Sequence, residues 1–467
     1  MSEKIKATTP EGFEDANWKD ICGEATALLQ QLLRIDTTNP PGDEIKAARA
    51  LGKSLEDDGI EVELIESAPG RGNLICRLEG QGANREPPLL LMGHLDVVPA
   101  GDLSLWTHPP FSGELADGMI WGRGAVDMKN MVAMSAMMMK VLARREVPLR
   151  RDVILAAVAD EEAGCRFGSR FLVEEHPDKV RAGFALGEVG GFPVSVGTAK
   201  LCLVQTAEKG MCWLRVRAKG QSGHGSMPTA DNAVVRLCKA LGRIGTHRLP
   251  QHNTPVVESF IRTVAGLLPP PNRWVLPRIL TKQISPLILD KVITDQGQAR
   301  NFNALLHNTA CPTVLRAGQA TNVIPDVAEA KLDGRLLPGQ TAQDLIAELK
   351  DVAGDEGLTF EVITEAEATV NHPPDSPLWD CITQAVSRAD STLNVVPYMI
   401  PGFTDAKYFS QLGARCYGFS PVYMDPFSDL KFSELFHGID ERIPEDGYHW
   451  GLGVLWEVVE SFCKARG

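Results

Sequence analysis

Five short stretches of the chain carry side chains that can bind divalent cations or activate a bound water. The candidate residues are His94, Asp127, Glu161 with Glu162, Glu188 and His437. Imidazole nitrogens and carboxylate oxygens are ligands that zinc and related divalent ions accept together. Three of the stretches directly follow apolar runs that predict buried strands, and ligands gather at the carboxyl ends of strands in an open α/β sheet. The sequence therefore predicts a hydrolase centre built around two metal ions.

His94 and Asp96 stand in the stretch GHLD, directly after the apolar run PPLLLM. Residues two apart in an extended chain face the same side, so the Asp96 carboxylate is predicted to contact the His94 imidazole. A carboxylate partner fixes the tautomer of a ligating histidine. The alternative is a pair of side chains that only satisfies backbone groups of the loop.

Asp127, in the stretch WGRGAVDMKN, precedes a predicted Met-rich helix over 128–143. Its carboxylate is a candidate bridge between two cations, with Arg123 and Lys129 as candidates to orient it. Asp is also a favoured helix N-cap, and spacing alone leaves the two interpretations open.

Glu161 and Glu162 follow the apolar run VILAAVAD. A turn there can aim one carboxylate at a metal ion and the other at the bound water, where it would act as a general base. The alternative is a solvated acidic loop. Glu188, in FALGEVGG, and His437, in LFHGIDERIPED, are further candidate ligands from a third strand end and from the C-terminal region.

His224 lies between glycines in QSGHGSMP, which predicts a turn from which the imidazole projects. A histidine in such a position can donate a hydrogen bond to a developing oxyanion. The alternative is an ordinary turn histidine.

The elements that must position these residues change in pattern along the 467-residue chain. In the N-terminal part, apolar strands alternate with helices, which predicts a largely parallel sheet covered by helices on both faces. Alternating strands with two helices then predict an α+β domain. The predicted fold class is α/β, a mixed sheet flanked by helices. A catalytic domain of residues 1–204 and 371–467 would be interrupted by an inserted lid or dimerisation domain of residues 205–370.

The net charge is −13 and no Lys/Arg-rich run occurs, which argues against nucleic acid or an anionic membrane surface as a partner. The N-terminal residues are polar, without the apolar core of a signal peptide, and no apolar stretch is long enough for a membrane span. The ten cysteines are dispersed, without a CxxC pair, and are predicted to be reduced, mostly buried thiols. We therefore expect a cytoplasmic protein.

The chain resembles the co-catalytic metallopeptidase family of aminoacylases, acetylornithine deacetylases, succinyl-diaminopimelate desuccinylases and glutamate carboxypeptidases. The resemblance is carried by GHLDVVPAGD, WGRGAVDMKNMVAM, ADEEAG, GHGSMP, TNVIPD, LDGRLLPG and HGIDERIPEDG. These motifs occur in the expected order through nearly the whole chain. The resemblance implies a zinc-peptidase-like α/β domain interrupted by a lid.

The resemblance also implies roles for the matching positions. One metal ion would be held by His94, Asp127 and Glu188. The other would be held by Asp127, Glu162 and His437. Asp127 would bridge the two ions, which would be zinc, with cobalt or manganese as alternatives. Glu161 would be the general base and later the proton shuttle, and Asp96 the partner of His94.

Further matching positions concern the substrate. His224 would polarise the scissile carbonyl, and in dimeric members of the family it does so in the site of the partner subunit. Asn322 and Arg335 would hold the substrate and its carboxylate, which a guanidinium binds in bidentate fashion. Many members line the carboxylate pocket with a glycine pair before Thr/Ser-Asp. The corresponding residues here are Gly402, Phe403 and Thr404, with phenylalanine in place of the second glycine.

The predicted reaction is hydrolysis of an amide bond beside a carboxylate, in an N-acyl amino acid or a short peptide, by a water that two cations activate. An apolar, proline-interleaved segment, 260–293, resembles an insertion of carboxypeptidase S and the N-fatty-acyl-amino-acid hydrolases. We predict that it lines a tunnel for a hydrophobic acyl group or side chain, with lid core or dimer packing as the alternative. A dipeptidase or carboxypeptidase and a non-catalytic binding protein are the alternative functions. A homodimer through the lid is expected from the resemblance.

Overall fold

The computed structural model describes residues 9–82, 85–293, 296–428, 430 and 432–465. The chain divides into two compact units. Unit 1 comprises Met1–Thr206, His372–Pro397 and Thr404–Gly467, and unit 2 comprises Ala207–Asn371 and Tyr398–Phe403. The short segment Tyr398–Phe403 belongs to unit 2, whereas the predicted inserted domain ends at residue 370.

The helices and strands follow one another in three runs. The first run comprises α1 (Asp15–Leu33), α2 (Glu44–Glu56), β1 (Val62–Ala68), β2 (Arg71–Leu78), β3 (Glu86–His94), β4 (Glu114–Ala116), β5 (Met119–Trp121), α3 (Lys129–Arg144), β6 (Arg151–Val158), α4 (Ser169–Glu175), α5 (Pro177–Val180), β7 (Phe184–Gly187), β8 (Pro193–Val196) and β9 (Ala199–Glu208). The second comprises β10 (Gly210–Lys219), β11 (Gly223–His224), α6 (Ala233–Thr246), α7 (Pro255–Leu267), α8 (Asn272–Val275), α9 (Ser285–Leu287), α10 (Gln296–Leu306), β12 (Thr309–Ala317), β13 (Val323–Ile324), β14 (Val327–Leu336), α11 (Ala342–Ala353) and β15 (Leu358–Ala366). The third comprises α12 (Pro377–Ala389), β16 (Asn394–Ile400), α13 (Ala406–Phe409), β17 (Arg415–Gly418), α14 (Phe432–Leu435), β18 (Arg442–Pro444) and α15 (Glu445–Cys463).

A nine-stranded sheet has the order β1-β2-β6-β3-β7-β17-β9-β16, with β8 beside β9. The central strands β6, β3, β7 and β17 run parallel to one another, whereas β1, β2, β8 and β9 make antiparallel pairs. β3 lies between β6 and β7, and both follow it in the chain, so the strand order reverses at β3. Ligands of open α/β sheets bind at the carboxyl ends of strands at such a point. The prediction of a mixed α/β sheet is confirmed.

Buried strands and a Met-rich helix form the core of unit 1. Every residue of β6 is buried, as an unbroken apolar run predicts for a central parallel strand. α3 packs against β3 and β6 and buries Met131, Met134, Met137 and Met138 completely. Flexible thioether side chains fill irregular gaps in such a core. This packing fixes the ends of β3 and β6, from which candidate site residues follow.

A small sheet of β18, β5 and β4 joins two parts of unit 1 that are distant in sequence. β18 pairs antiparallel with β5, and Arg442 stands opposite Trp121. These strands have only three residues each, too short for a periodic pattern, and the sequence did not predict them. The pairing brings the loop after β5 next to the segment before β18. Asp127 lies in the first of these and His437 in the second.

Unit 2 contains an antiparallel sheet in the order β12-β14-β10-β15. Helices α6 and α11 pack on this sheet through a buried cluster that includes Leu237, Ile244, Leu345 and Leu349. The strands and helices correspond to those that alternating and helical periodicity predict in this region. A separate two-stranded ribbon of β11 and β13 carries His224.

The apolar segment 260–293 forms short helices rather than an irregular loop. It includes part of α7, then α8 and α9 with the helical turns Leu276–Leu280 and Ile288–Val292. Pro277 and Pro286 stand in the first turn of their helices, where the missing N–H costs nothing, and Pro271 is the N-cap of α8. The predicted tunnel for an acyl group stays a prediction.

Two further expectations concern the state of the cysteines and the absence of a membrane span. All ten cysteines are free and seven of them are buried, so the prediction of dispersed, mostly buried thiols is confirmed. Within the part of the chain that the structure describes, none of the helices combines the length and the apolar character needed to cross a bilayer.

A buried lysine, Lys209, follows β9 and contacts two separate segments of unit 2. Its Nζ donates to the carbonyl oxygens of Ala304 and His307 at 3.0 and 2.8 Å. Its backbone N–H donates to the carbonyl oxygens of Ile400 and Gly402, both at 3.2 Å. Burial lowers the pKa of Lys209 to about 7. The side chain therefore holds its place largely as a neutral amine above that pH.

We expect the stability of the wild-type protein to rise relative to that of Lys209→Met as the pH increases from 7 towards 10.5. The folded protein releases the Lys209 proton at about pH 7, whereas an unfolded chain keeps it to about 10.5. The unfolded state then binds more protons across this window, so unfolding becomes less favourable as the pH rises. Unfolding midpoints measured at several pH values check this. Lys239→Met, at an exposed position, is the control, and a stability difference that does not depend on pH would contradict the expectation.

Candidate metal centre

Three buried side chains form a first group of candidate ligands. His94 is the last residue of β3, Glu188 directly follows β7, and Asp127 lies in the loop after β5. His94 Nε2 lies 3.1 Å from Asp127 Oδ1 and 3.7 Å from Glu188 Oε2. One ligand atom of each residue lies within 4.8 Å of the others. A cation with ligand bonds of about 2 Å can be shared by atoms at this spacing.

The backbone of Asp96 fixes the tautomer of His94. His94 Nδ1 lies 2.9 Å from the Asp96 carbonyl oxygen, which can only accept a hydrogen bond. Nδ1 therefore carries the hydrogen, and Nε2 presents its lone pair to a metal ion. The Asp96 carboxylate is farther from the ring, 3.5 Å from Nδ1. The two residues are thus in contact as predicted, but the hydrogen bond of His94 Nδ1 is accepted by the main-chain carbonyl oxygen of Asp96 and not by its carboxylate.

Asp127 also belongs to a second group, with Glu162 and His437. His437 Nε2 lies 2.9 Å from Asp127 Oδ2 and 3.3 Å from Glu162 Oε2. The two oxygens of the Asp127 carboxylate thus face different imidazoles, Oδ1 towards His94 and Oδ2 towards His437. This is the arrangement expected of a carboxylate that bridges two cations.

The loop that carries Asp127 differs from the sequence-based interpretation in two respects. The N-cap of α3 is Met128, so the alternative in which Asp127 caps the helix is wrong. Lys129, a candidate to orient Asp127, instead donates from Nζ to the carbonyl oxygens of Leu32 and Ile35 at 3.1 and 2.8 Å. The lysine therefore fixes the end of α1.

The electrostatics of the two groups call for added positive charge. Glu162 Oε1 and Glu188 Oε1 are buried and have no hydrogen-bond partner among the described residues. Burial, with the charge of Asp127 adding to it, raises the pKa of Glu188 to about 8. Hydrogen bonds to Asp127 and Glu162 raise the pKa of His437 to about 10. Three carboxylates and two imidazoles in this setting fit two divalent cations, which would keep the acids ionised and the imidazoles neutral.

Glu161 lies among these groups but belongs to neither. It is buried, and burial followed by the charge of Glu188 raises its pKa well above the usual range. The backbone N–H groups of Glu161 and Glu162 donate to the two oxygens of the Asp96 carboxylate, each at 3.1 Å. Asp96 thereby fixes a turn that gives the adjacent glutamates different surroundings. The alternative of a solvated acidic loop is wrong.

A buried polar network behind this turn escaped the sequence analysis. Asn39 Nδ2 donates to Asp96 Oδ2 at 2.8 Å and to Asp160 Oδ1 at 3.0 Å. Arg71 donates to Asn39 Oδ1 at 3.2 Å and pairs with Glu44 and Asp160, each at 2.8 Å. Asn39 and Glu44 come from the stretch TTNPPGDE, in which the prolines indicated only a loop. The hydrogen bonds of Asn39 and Arg71 hold the turn in place, although Arg71 Nε and both carboxylate oxygens of Glu44 are buried without a hydrogen-bond partner among the described residues.

Glu441 was also missed, and it ties the loop of Asp127 to the segment before β18. Its Oε1 accepts the backbone N–H groups of Gly124, Val126 and Asp127 at 3.1, 2.7 and 3.1 Å. Its Oε2 accepts from Arg123 Nη1 at 2.6 Å. Glu441 is completely buried. Arg123 thus acts on Asp127 through the Glu441 carboxylate. In the sequence, the only sign of the role of Glu441 is that an acidic residue follows shortly after His437.

In unit 2 the structure brings His224 and Asn322 together. The β11–β13 ribbon pairs His224 with Val323, and the Gly225 N–H donates to the Asn322 carbonyl oxygen at 2.8 Å. The Ser226 N–H donates to His224 Nδ1 at 3.2 Å, so Nε2 carries the hydrogen. His224 is exposed and can donate from Nε2. Its role at a carbonyl oxygen stays a prediction.

Arg335 and Phe403 also meet within unit 2. Arg335 Nε and Nη2 donate to the Asp333 carboxylate at 2.9 and 3.1 Å, and the guanidinium carbon lies 5.3 Å from the centre of the Phe403 ring. Arg335 Nη1 is buried and has no hydrogen-bond partner among the described residues. The phenyl ring covers a guanidinium that glycine would leave open. Gly402 precedes this ring, and Thr404, the next residue, belongs to unit 1.

We expect Glu441→Gln to weaken metal retention by about 10–100-fold, because a neutral amide cannot pair with Arg123 and holds the Asp127 loop less firmly. Titration of the metal-loaded protein with a competing chelator measures this. Asp152→Asn is the matched control, since Asp152 is a buried carboxylate that accepts the Gly80 N–H and pairs with Arg77. Equal losses in the two variants would mean that Glu441 contributes to general stability only.

Comparisons with known proteins find relatives along most of the chain. The profile of "Peptidase family M20/M25/M40" matches residues 90–461. The N-fatty-acyl-amino acid synthase/hydrolase PM20D1 of Homo sapiens is 29% identical over 384 residues, which cover 80% of this chain and 74% of that protein. Aminoacylase-1 of Sus scrofa is 28% identical over 449 residues, covering 94% and 95%. The M20 family metallo-carboxypeptidase Sso-CP2 from Sulfolobus solfataricus has the same fold, with a TM-score of 0.68 at 18% identity over 94% of this chain and 99% of that one. The chain belongs to peptidase family M20/M25/M40 and is a hydrolase of that family.

Proposed function

We propose that the protein is a metal-dependent amide hydrolase that cleaves N-acyl amino acids, including those with long or hydrophobic acyl groups, to a carboxylate and an amino acid. The observation that carries the proposal is the Asp127 carboxylate, which faces His94 with one oxygen and His437 with the other. The buried Glu161 lies beside this arrangement without joining either ligand group. The names of the relatives, an N-fatty-acyl-amino acid synthase/hydrolase and an aminoacylase, support the substrate class.

Two divalent cations held by the two ligand groups would polarise the scissile carbonyl and make a water molecule acidic. Glu161 accepts the proton of that water at its carboxylate and passes it to the departing amine. The burial of Glu161 limits loss of this proton to bulk solvent. Asp96 and Glu441 act through the backbone, because they hold the Glu161–Glu162 turn and the Asp127 loop.

The proposed substrate contacts follow the family resemblance. Arg335, whose Nη1 has no partner among the described residues, binds the free carboxylate of the substrate. Phe403 over the guanidinium makes the carboxylate pocket more apolar than a glycine would. His224 donates from Nε2 to the carbonyl oxygen, and Asn322 beside it holds the same part of the substrate.

The remaining expectations are part of the same proposal. The ions are zinc, with cobalt or manganese as alternatives, because imidazole and carboxylate ligands suit all three. The ten free thiols support a reducing compartment such as the cytoplasm. The resemblance supports a homodimer through unit 2.

Amine release from a panel of N-acetyl amino acids, N-long-acyl amino acids and unblocked dipeptides tests the function. We expect activity to disappear when a chelator removes the metal, to return with zinc, and to favour the N-acyl amino acids. Faster hydrolysis of unblocked dipeptides than of any N-acyl amino acid would favour the dipeptidase alternative. A protein that binds no zinc, cobalt or manganese and releases no amine would be a non-catalytic binding protein.

We expect Glu161→Gln to lower kcat by about 10²–10⁴-fold with little change in metal content, because the amide cannot accept the proton of the water. Glu162→Gln, at the adjacent position, should lose metal because it removes a ligand. Metal content by mass spectrometry and the rate of amine release check both variants. If Glu161→Gln lost metal as Glu162→Gln does, Glu161 would be a ligand and the assignment of the base would be wrong.

A further inference from the structure

Residues 269–300 of unit 2 have a charge opposite in sign to that of the whole chain. They contain five basic and two acidic residues, a net charge of +3, within a chain of net charge −13. Charges beyond roughly 8–10 Å are largely screened at physiological salt, so a partner at this surface responds to the local charge. The net charge of the whole chain therefore does not exclude an anionic membrane surface as a partner of this segment.

The exposed cations of this segment are mostly without acidic partners. Arg273, Arg278 and Lys282 are exposed, and none of them takes part in an ion pair with the residues that the structure describes. The acidic Asp290 is already paired, since Arg248 Nη1 lies 3.2 Å from its Oδ2. The local positive charge is thus presented to solvent.

Large apolar side chains are exposed among these cations. The exposed fractions of Trp274, Leu287 and Val292 are 65%, 61% and 51%. Tryptophan is enriched at membrane–water interfaces, and helices with basic and apolar side chains lie in the plane of that interface. Water is a poor environment for three such side chains in one short segment.

The backbone beneath this surface is anchored. Ile279 and Ile288 are buried. Gln251 Nε2 donates to the Ile279 carbonyl oxygen at 3.1 Å, and Asn253 Nδ2 donates to that of Leu280 at 2.8 Å. Helices α8 and α9 both pack against the turn Leu276–Leu280 between them. The exposed side chains therefore project from a fixed support.

We propose that this surface docks on a membrane that contains anionic lipids. The basic apolar surface consists of Arg273, Trp274, Arg278, Lys282, Leu287 and Val292. Its cations face the headgroups, and its apolar side chains enter the boundary with the acyl chains. Docking is a binding property that is separate from hydrolysis. It would also allow the protein to take long-chain N-acyl amino acids from the membrane, and this consequence rests on the proposed function.

Sedimentation of the full-length protein with vesicles tests the proposal. Vesicles of equimolar phosphatidylglycerol and phosphatidylcholine are expected to bind the protein at low salt, and vesicles of phosphatidylcholine alone to bind it much less. Arg278→Glu combined with Lys282→Glu should weaken binding by about tenfold or more. Lys239→Glu combined with Lys350→Glu makes the same change of charge at exposed lysines of α6 and α11 and should bind like the wild type.

Three results would overturn the proposal. The wild type could fail to sediment with the anionic vesicles, or the two charge-reversed pairs could lose binding equally. The third result is that the wild type is a dimer in solution and that the double variant Trp274→Ser with Leu287→Ser is a monomer. The surface would then be an interface with a second copy of the chain. Amine release from N-acetyl and N-long-acyl amino acids without vesicles tests the proposed function separately. If the metal-loaded wild type hydrolysed none of these N-acyl amino acids, the proposed function would be refuted and the sedimentation result would still stand.

Discussion

The Asp127 carboxylate has to face two imidazoles at once, and much of unit 1 serves to hold it in that position. One imidazole comes from the end of β3 and the other from the segment before β18, so neither local sequence nor a single element can align them. The Glu441 carboxylate solves this by accepting three backbone N–H groups from the Asp127 loop while it belongs to the His437 segment. The short β5–β18 pairing fixes the same two segments a second time.

Electrostatic repulsion is the cost of this arrangement. Burial raises the pKa of Glu161 and Glu188, and the charges of neighbouring carboxylates raise it further. The fold supplies compensation away from the ligands, since Arg71 pairs with Glu44 and Asp160 behind the turn that carries the glutamates. Cations would act at the two ligand groups that this turn helps to form. The positive charge that balances these carboxylates thus has two sources, Arg71 as a permanent part of the fold and the ions that bind.

The sequence was informative where chemistry coincided with a regular element. His94 and Glu188 could be predicted as candidate ligands because each follows an apolar run, and runs of that kind become adjacent parallel strands. The division of the candidate ligands into two groups, with His94 and Glu188 in the same group, came from the resemblance to a family and not from spacing. Glu441 and Asn39 could not be predicted, since their partners are remote in sequence and no periodicity marks them. Lys129 was misjudged because proximity in sequence does not say which way a long side chain extends.

The pairing of β18 with β5 also has a consequence for the order in which the centre is built. During synthesis on the ribosome, the residues of the first ligand group emerge early, and the whole of unit 2 is then translated before His437 and Glu441 appear. A nascent chain held directly before His437 contains the residues of all nine strands of the large sheet but lacks β18, and its Asp127 loop lacks the carboxylate that orders it. Maturation of the second ligand group is therefore coupled to a late stage of translation, and a stop codon directly before residue 437 leaves a protein that lacks one of its five candidate ligands, His437, and the Glu441 carboxylate.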